Sequence, residues 1–237
     1  MFYMKPILEI TSLQNPKIKT ASKLFDRRDR DQTGLFLVEG YRELKRAADK
    51  NSKIITLFIC PELFLGENEN ALIEQIRLKG SDVFLCDKKV FSKLSYRDRP
   101  DGLIAVVKQM KLSLSDLSNT LGKKKNPVFL VAESIEKPGN LGTILRSCDA
   151  TGVDGVIVCD RCTDIYNPNV VRASVGTLFT LPVVEATSSE TLSWLKENNI
   201  QILSSTPNTD VEYTDADLSG PVAVVVGTEQ LGLSDTW

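Results

Sequence analysis

At 237 residues and 42% hydrophobic content the chain can fill one or two cores, but its opening stretch "MFYMKPILEI" holds no apolar run long enough for a signal peptide or a membrane span. Five cysteines, an odd number without framework spacing, point to a reducing compartment, and the absence of histidine excludes Ser-His-Asp, Cys-His and His-base chemistry. The net charge of −2 conceals a split: residues 1–108 hold 20 Lys+Arg against 15 Asp+Glu, residues 109–126 hold 4 against 1, and residues 127–237 hold 5 against 15. A basic front and an acidic back suggest that the front meets a polyanion, and the expected setting is the cytoplasm.

Along the front, Asn15-Pro16 reads as an N-cap followed by proline at the first helical position. The helix expected from there carries Lys17, Lys19, Lys23, Arg27, Arg28 and Arg30 as a basic face. The apolar runs "GLFLVEG", "KIITLFIC", "SDVFLC" and "GLIAVVK" then alternate with polar periodic segments over Tyr41–Lys50 and Asn68–Lys79, the rhythm of a small α/β domain over residues 1–108. "KLSLSDLSNTLGKKKN", residues 109–126 in its wider bounds, is polar and sits where the charge changes sign, so it reads as a solvated linker.

From residue 127 to 237 the rhythm returns. "PVFLVA" precedes a helix from about Gly139 to Thr151, followed by "DGVIVC", a segment through "NPNVVRASVG", "LPVVEA", a helix over "SSETLSWLKENN", "IQILSST" and "PVAVVVG". Continuous β-branched runs separated by helices predict a parallel sheet covered on both faces. Ligands of such sheets bind at the carboxyl ends of the strands, and both glycine-bearing motifs of this half, "KPGNLGTILR" and "GTEQLGLS", begin there. The first offers a tight turn and a helix N-terminus, with Arg146 four residues after Gly142, about one turn along, where it can point toward the loop. The second offers a lone acid, Glu229, between two glycines. Neither has the spacing of a dinucleotide fingerprint or a P-loop. Cys159 and Cys162 form a C-x-x-C without a second pair, so no metal site is expected, and strand-end thiols outweigh redox chemistry.

Taken together, the two motifs resemble those of the SpoU (TrmH-like) family of the SPOUT superfamily. Asn140, Gly142 and Arg146 match its first motif N-x-G-x-x-x-R; "NPNVVRASVGTLFTLPV" looks like its middle segment; Gly227, Glu229, Gly232, Leu233 and Ser234 fit its second motif. "FLVEGYRELKRA" is similar to the family's L30e-like N-terminal domain. The resemblance implies an α/β protein in which an L30e-like substrate-binding domain precedes a SPOUT-type parallel-sheet domain, with the family's knot expected to be incomplete here. It implies methylation of a ribose 2′-hydroxyl in RNA, tilted toward ribosomal RNA, with S-adenosyl-L-methionine as cofactor and a homodimer as the usual assembly. Arg146 would be the central catalytic residue, flanked by Asn140 and Glu229. Gly227, Thr228, Leu231 and Gly232 would hold the cofactor, and Lys17, Lys23, Arg27, Arg28, Arg30 and Arg42 would meet RNA. An arginine rarely gives up its proton, so Arg146 is read as binding phosphate and stabilising a developing alkoxide, with the proton acceptor unassigned. The family's third motif, an S-L-N-V-S-like segment, has no counterpart here, so the expectation is a C-terminally incomplete methyltransferase domain. Two alternatives stand beside this reading: an RNA-binding protein without catalysis, and a SPOUT methyltransferase acting on a tRNA base.

Overall fold

The computed structural model describes residues 5–160, 163–209 and 211–237, with the side chain of Thr120 outside that description. The elements in chain order are β1 (Leu8–Ile10), α1 (Pro16–Lys23), α2 (Arg27–Thr33), β2 (Leu35–Glu39), α3 (Tyr41–Asp49), β3 (Ile54–Ile59), α4 (Glu69–Leu78), β4 (Asp82–Cys86), α5 (Lys88–Ser92) and β5 (Leu103–Lys108). They continue with α6 (Leu114–Leu121), β6 (Val128–Glu133), α7 (Pro138–Thr151), β7 (Gly155–Cys159), α8 (Pro168–Ser174), β8 (Val183–Ala186), α9 (Ser188–Glu197), β9 (Gln201–Ser204) and β10 (Val222–Val226). No helix of the described residues is long and apolar enough to cross a membrane.

Two compact units result, the first running to Met110 and reclaiming Ile165–Phe179, the second comprising Lys111–Asp164 and Thr180–Trp237. The first is built on a mixed sheet in the order β1-β4-β3-β5-β2, parallel where β4 meets β1 and β3, antiparallel where β5 meets β3 and β2. Its core gathers Ile18, Leu24, Phe58, Phe84, Phe91 and Ile104. Asn15 caps α1 by accepting a hydrogen bond from the Lys17 amide at 2.9 Å, as the sequence predicts.

Beyond that cap the basic helix departs from expectation, because the chain breaks after Lys23 and restarts at the Asp26 cap of α2. The basic residues are thus divided between two short helices. Lys17, Lys23, Arg27 and Arg28 remain exposed, whereas Arg30 is buried and donates through Nη1 to the carbonyls of Leu24 and Phe25, both at 2.8 Å. It fastens the turn between α1 and α2, which removes it from any RNA-facing set.

The second unit carries an all-parallel sheet in the order β8-β7-β6-β10-β9. Its core packs Phe129, Val131, Ile157, Trp194, Leu195 and Val225, with Phe129 and Trp194 meeting edge to face at 5.4 Å. Thr187 and Glu190 form a reciprocal capping box at the start of α9. One expectation changes here. The linker is largely ordered: α6 folds within it, and Leu117 is buried in this core. The middle segment, Ile165–Phe179, packs with the first unit. Val170 and Val171 of α8 are buried, α8 packs on β2, and Phe36 lies 4.7 Å from the Tyr166 ring and 6.1 Å from Phe179. Each buried Val contributes roughly 1.5–3 kcal/mol, so the aromatic and valine contacts hold the segment there.

Candidate active site

Sheet order decides the site. Strand β10 lies beside β6 although some ninety residues separate them, with Val226 paired to Ala132. The loops leaving the two strands therefore start side by side, and each carries one of the glycine motifs. Ser134, just after β6, and Asp160, just after the neighbouring β7, hold left-handed φ values of 54° and 52°.

The loop after β10 closes tightly on itself. Thr228 and Gly232 exchange backbone hydrogen bonds of 2.9 and 3.1 Å, and the Thr228 hydroxyl accepts from the Leu231 amide at 2.9 Å. A Cβ on Gly227 would fall 2.2 Å from the Gly232 carbonyl oxygen, so no larger residue fits there, and Gly232 itself sits at φ 70°. Leu231 is left 88% exposed at the tip, an apolar side chain with no packing role inside the fold.

Opposite it, Pro138 opens α7 and places Asn140 in the helix's first turn. Asn140, Lys137 and Ile135 line a cleft of about 80 Å³ together with Thr228, Glu229 and Leu231. Lys137 Nζ donates to Glu229 Oε2 at 2.7 Å across it. That bond, the lysine's charge and the Asn140 amide hold the Glu229 carboxyl below the usual carboxylate range, and the Glu229 partner pushes the Lys137 ammonium up. Both groups are charged near neutral pH, and Glu229 is a correspondingly weak base.

Arg146 stands elsewhere. Six residues after Asn140 on a helix turning 100° per residue, it emerges about 120° around α7 and about 9 Å further along. It is exposed, has no ion pair among the described residues and does not line this cleft.

Beneath the cleft lies a carboxylate that sequence reasoning missed. Glu133 ends β6 and is 2% exposed. Its Oε1 accepts from the Ser188 hydroxyl at 2.9 Å, the Ser234 hydroxyl at 2.6 Å and the Trp237 indole at 2.9 Å, while Oε2 accepts the Ser234 amide at 2.8 Å. Burial works to raise its pKa, and the bonds from Ser234, Ser188 and Trp237 outweigh that and leave it lowered. Glu133 ties the chain after the second motif to the end of β6. The available signal was an acid closing the apolar run "PVFLVAE", ambiguous without the partners. Of the C-x-x-C, Cys159 is buried with its thiol pushed up to about 11 by desolvation, which makes it an inert core residue, and Cys162 lies outside the described residues.

The SpoU rRNA Methylase family matches residues 127–237, and the MRM3-like substrate binding domain matches residues 15–105. An uncharacterized tRNA/rRNA methyltransferase of Synechocystis is 30% identical over 96% of this chain and 81% of its own length. This chain belongs to the SpoU family. A 23S rRNA (guanosine-2′-O-)-methyltransferase of Shewanella oneidensis, RlmB, is 31% identical over 70% of the chain and 69% of its own length. Among solved structures, the AdoMet-bound rRNA methyltransferase of Sinorhizobium meliloti superposes with a TM-score of 0.85 at 29% identity, covering 96% of this chain and 84% of that one. The superposition covers the α/β architecture with its parallel sheet.

Proposed function

We propose that this SpoU protein transfers a methyl group from S-adenosyl-L-methionine to a ribose 2′-hydroxyl of ribosomal RNA. The observation that carries it is the meeting of the two motifs: Asn140 and Glu229 face one cleft at the carboxyl ends of β6 and β10. The Shewanella relative is named for this reaction, and the Sinorhizobium structure for the bound cofactor.

The residues present fit one side of that cofactor. Exposed Leu231 and buried Ile135 offer apolar surface, and the Gly227–Gly232 loop, closed by the mutual backbone bonds of Thr228 and Gly232, holds Thr228 and Leu231 at the cleft. The cleft is well below the roughly 300 Å³ at which whole-ligand sites begin, so these residues enclose a fragment of the cofactor. Bound there, the cofactor supplies an electrophilic methyl on a sulfonium.

The chain's own groups do the rest by positioning and electrostatics. Glu229, kept ionised by Lys137, orients rather than deprotonates. Arg146, exposed and without a carboxylate partner among the described residues, binds phosphate and stabilises the alkoxide as it forms, the hydroxyl proton leaving to solvent water. Its place outside its own cleft supports a homodimer, with Arg146 of one copy serving the cleft of another. The exposed basic residues Lys17, Lys23, Arg27, Arg28 and Arg42 supply RNA contacts, and work on ribosomal RNA implies a cytoplasmic setting.

Arg146→Ala is expected to abolish transfer of labelled methyl from the cofactor to ribosomal RNA while circular dichroism stays unchanged. An active Arg146→Ala protein ends the assignment. Nuclease digestion of the product should show a methylated ribose; a methylated base would overturn the reaction.

A further inference from the structure

A cavity of about 750 Å³ lies wholly within the first unit. That is the size range of sites that enclose whole small ligands. Three arginines border it, Arg42 from α3, Arg99 from the loop before β5 and Arg172 from the last turn of α8. All three are exposed, and none has an ion pair among the described residues.

The carboxylates around the cavity are mostly spoken for. Glu43 is buried against Arg97 at 2.5 Å, Asp101 accepts the Tyr41 amide at 2.8 Å, and Glu69 accepts the Leu65 and Gly66 amides at 3.2 and 2.8 Å. Against the three arginines stands the exposed Asp98, so the accessible rim is positive. The wall also holds two buried polar atoms without a hydrogen bond, Arg97 Nε and Asp101 Oδ1.

The position of Arg172 is enforced. Val175, just past it, takes a left-handed φ of 52°, and its amide bonds back to the Arg172 carbonyl at 3.1 Å. Gly176 follows at φ 81°, where a Cβ would lie 2.9 Å from Glu43 Cα. A β-branched residue in that region is strained and is tolerated where surrounding structure over-determines it. The end of α8 is thereby pressed onto α3, and Arg172 is delivered to a cavity whose other walls come from the substrate-binding domain.

We propose that this cavity is a nucleotide-binding site for the RNA substrate, in which Arg42, Arg99 and Arg172 hold backbone phosphates of a single-stranded segment. Arginine suits phosphate through its planar fork of donors. Half-buried Tyr41 and the 79% exposed Leu65 offer surface on which an unstacked base can rest. The inference rests on the reading of this chain as an RNA methyltransferase and adds where its RNA is gripped.

The test is fluorescence anisotropy of a short labelled single-stranded RNA of mixed sequence, titrated with the full chain across a potassium chloride series. Replacing Arg42, Arg99 and Arg172 together by Gln should weaken binding roughly tenfold or more. It should also reduce the slope of log affinity against log salt by about 2, near 0.7 for each phosphate that is no longer neutralised. Each single Arg→Gln variant should lose about 0.7, which keeps the test decisive if the triple variant unfolds. Wild-type slope and affinity in these variants, with the loss appearing instead in Lys23→Ala/Arg28→Ala, would overturn the site and leave the methyltransferase reading standing. Equal competition by duplex RNA would overturn the single-stranded assignment. No salt-dependent RNA binding by the wild-type chain would sink the RNA reading itself.

Discussion

Glu133 and Glu43 are both nearly sealed from water, at 2% and 3% exposure, yet the two units hold them in opposite ways. Glu133 is met by four neutral donors and titrates below the ordinary range. Glu43 relies on one charged partner, Arg97, and its desolvation wins, leaving its pKa raised. Several short hydrogen bonds, here three from side chains and one from a backbone amide, can stabilise a buried charge where a single ion pair cannot. The lesson bears on function: Glu133 is a rigid peg beneath the candidate catalytic cleft, while the Glu43–Arg97 pair, with Asp101 beside it, is a strained wall of the cavity.

The largest effect expected from this contrast is Glu133→Ala. It strands the Ser188 and Ser234 hydroxyls, the Ser234 amide and the Trp237 indole, and should cost on the order of 3–5 kcal/mol in urea unfolding. Both tryptophans of the chain, Trp194 and Trp237, lie in the second unit, so their fluorescence reads this change directly. A loss below about 1 kcal/mol would show that the donors are satisfied without the carboxylate. Next is Arg97→Ala, which leaves Glu43 buried without its partner and should cost about 3 kcal/mol, measured by hydrogen exchange along α3. Glu43→Gln in that background should recover part of the loss. No recovery would mean that the arginine packs rather than neutralises.

The pH dependence should split the same way. Glu133 has a folded pKa below its unfolded value, so its contribution is full above the ordinary carboxylate range near 4.5 and is lost as pH falls through the lower folded value. Glu39 and Glu43 have raised folded values, so they favour the fold when protonated, and that contribution is lost as pH rises from 4.5 through those values. Acidification from neutrality should first protect the amides of β2 and α3 and then, below the ordinary range, loosen the tryptophan environment. Parallel loss in both places would break the contrast. The smallest effects are local: Asn15→Ala should remove about 1 kcal/mol through its cap. Lys137→Ala, which breaks an exposed pair, should leave the melting temperature unmoved while raising the Glu229 carboxyl, readable by NMR titration.

Much of this was legible before folding. Asn15-Pro16 announced the start of α1, the β-branched runs announced the parallel strands, and the two glycine motifs were rightly placed at strand ends, because caps, periodicity and turn chemistry are local properties. The errors share a cause. Arg30 reads as one more basic residue in "DRRDR" until the carbonyls of Leu24 and Phe25 are seen to need it. Leu117 reads as linker until it meets a core.

The identity of the chemistry was carried by linear order: N-x-G-x-x-x-R and G-x-E-x-x-G-L-S are spacings, and spacing survives without coordinates. Where the acting groups stand was decided only by tertiary structure. Sheet order brings Val226 beside Ala132 and so creates the cleft, helix pitch sets Arg146 about 120° around α7 from Asn140, and burial of Val170 and Val171 carries Arg172 into the first unit. Each of those outcomes is set by contacts between residues far apart in the chain, and no window of neighbouring letters contains them.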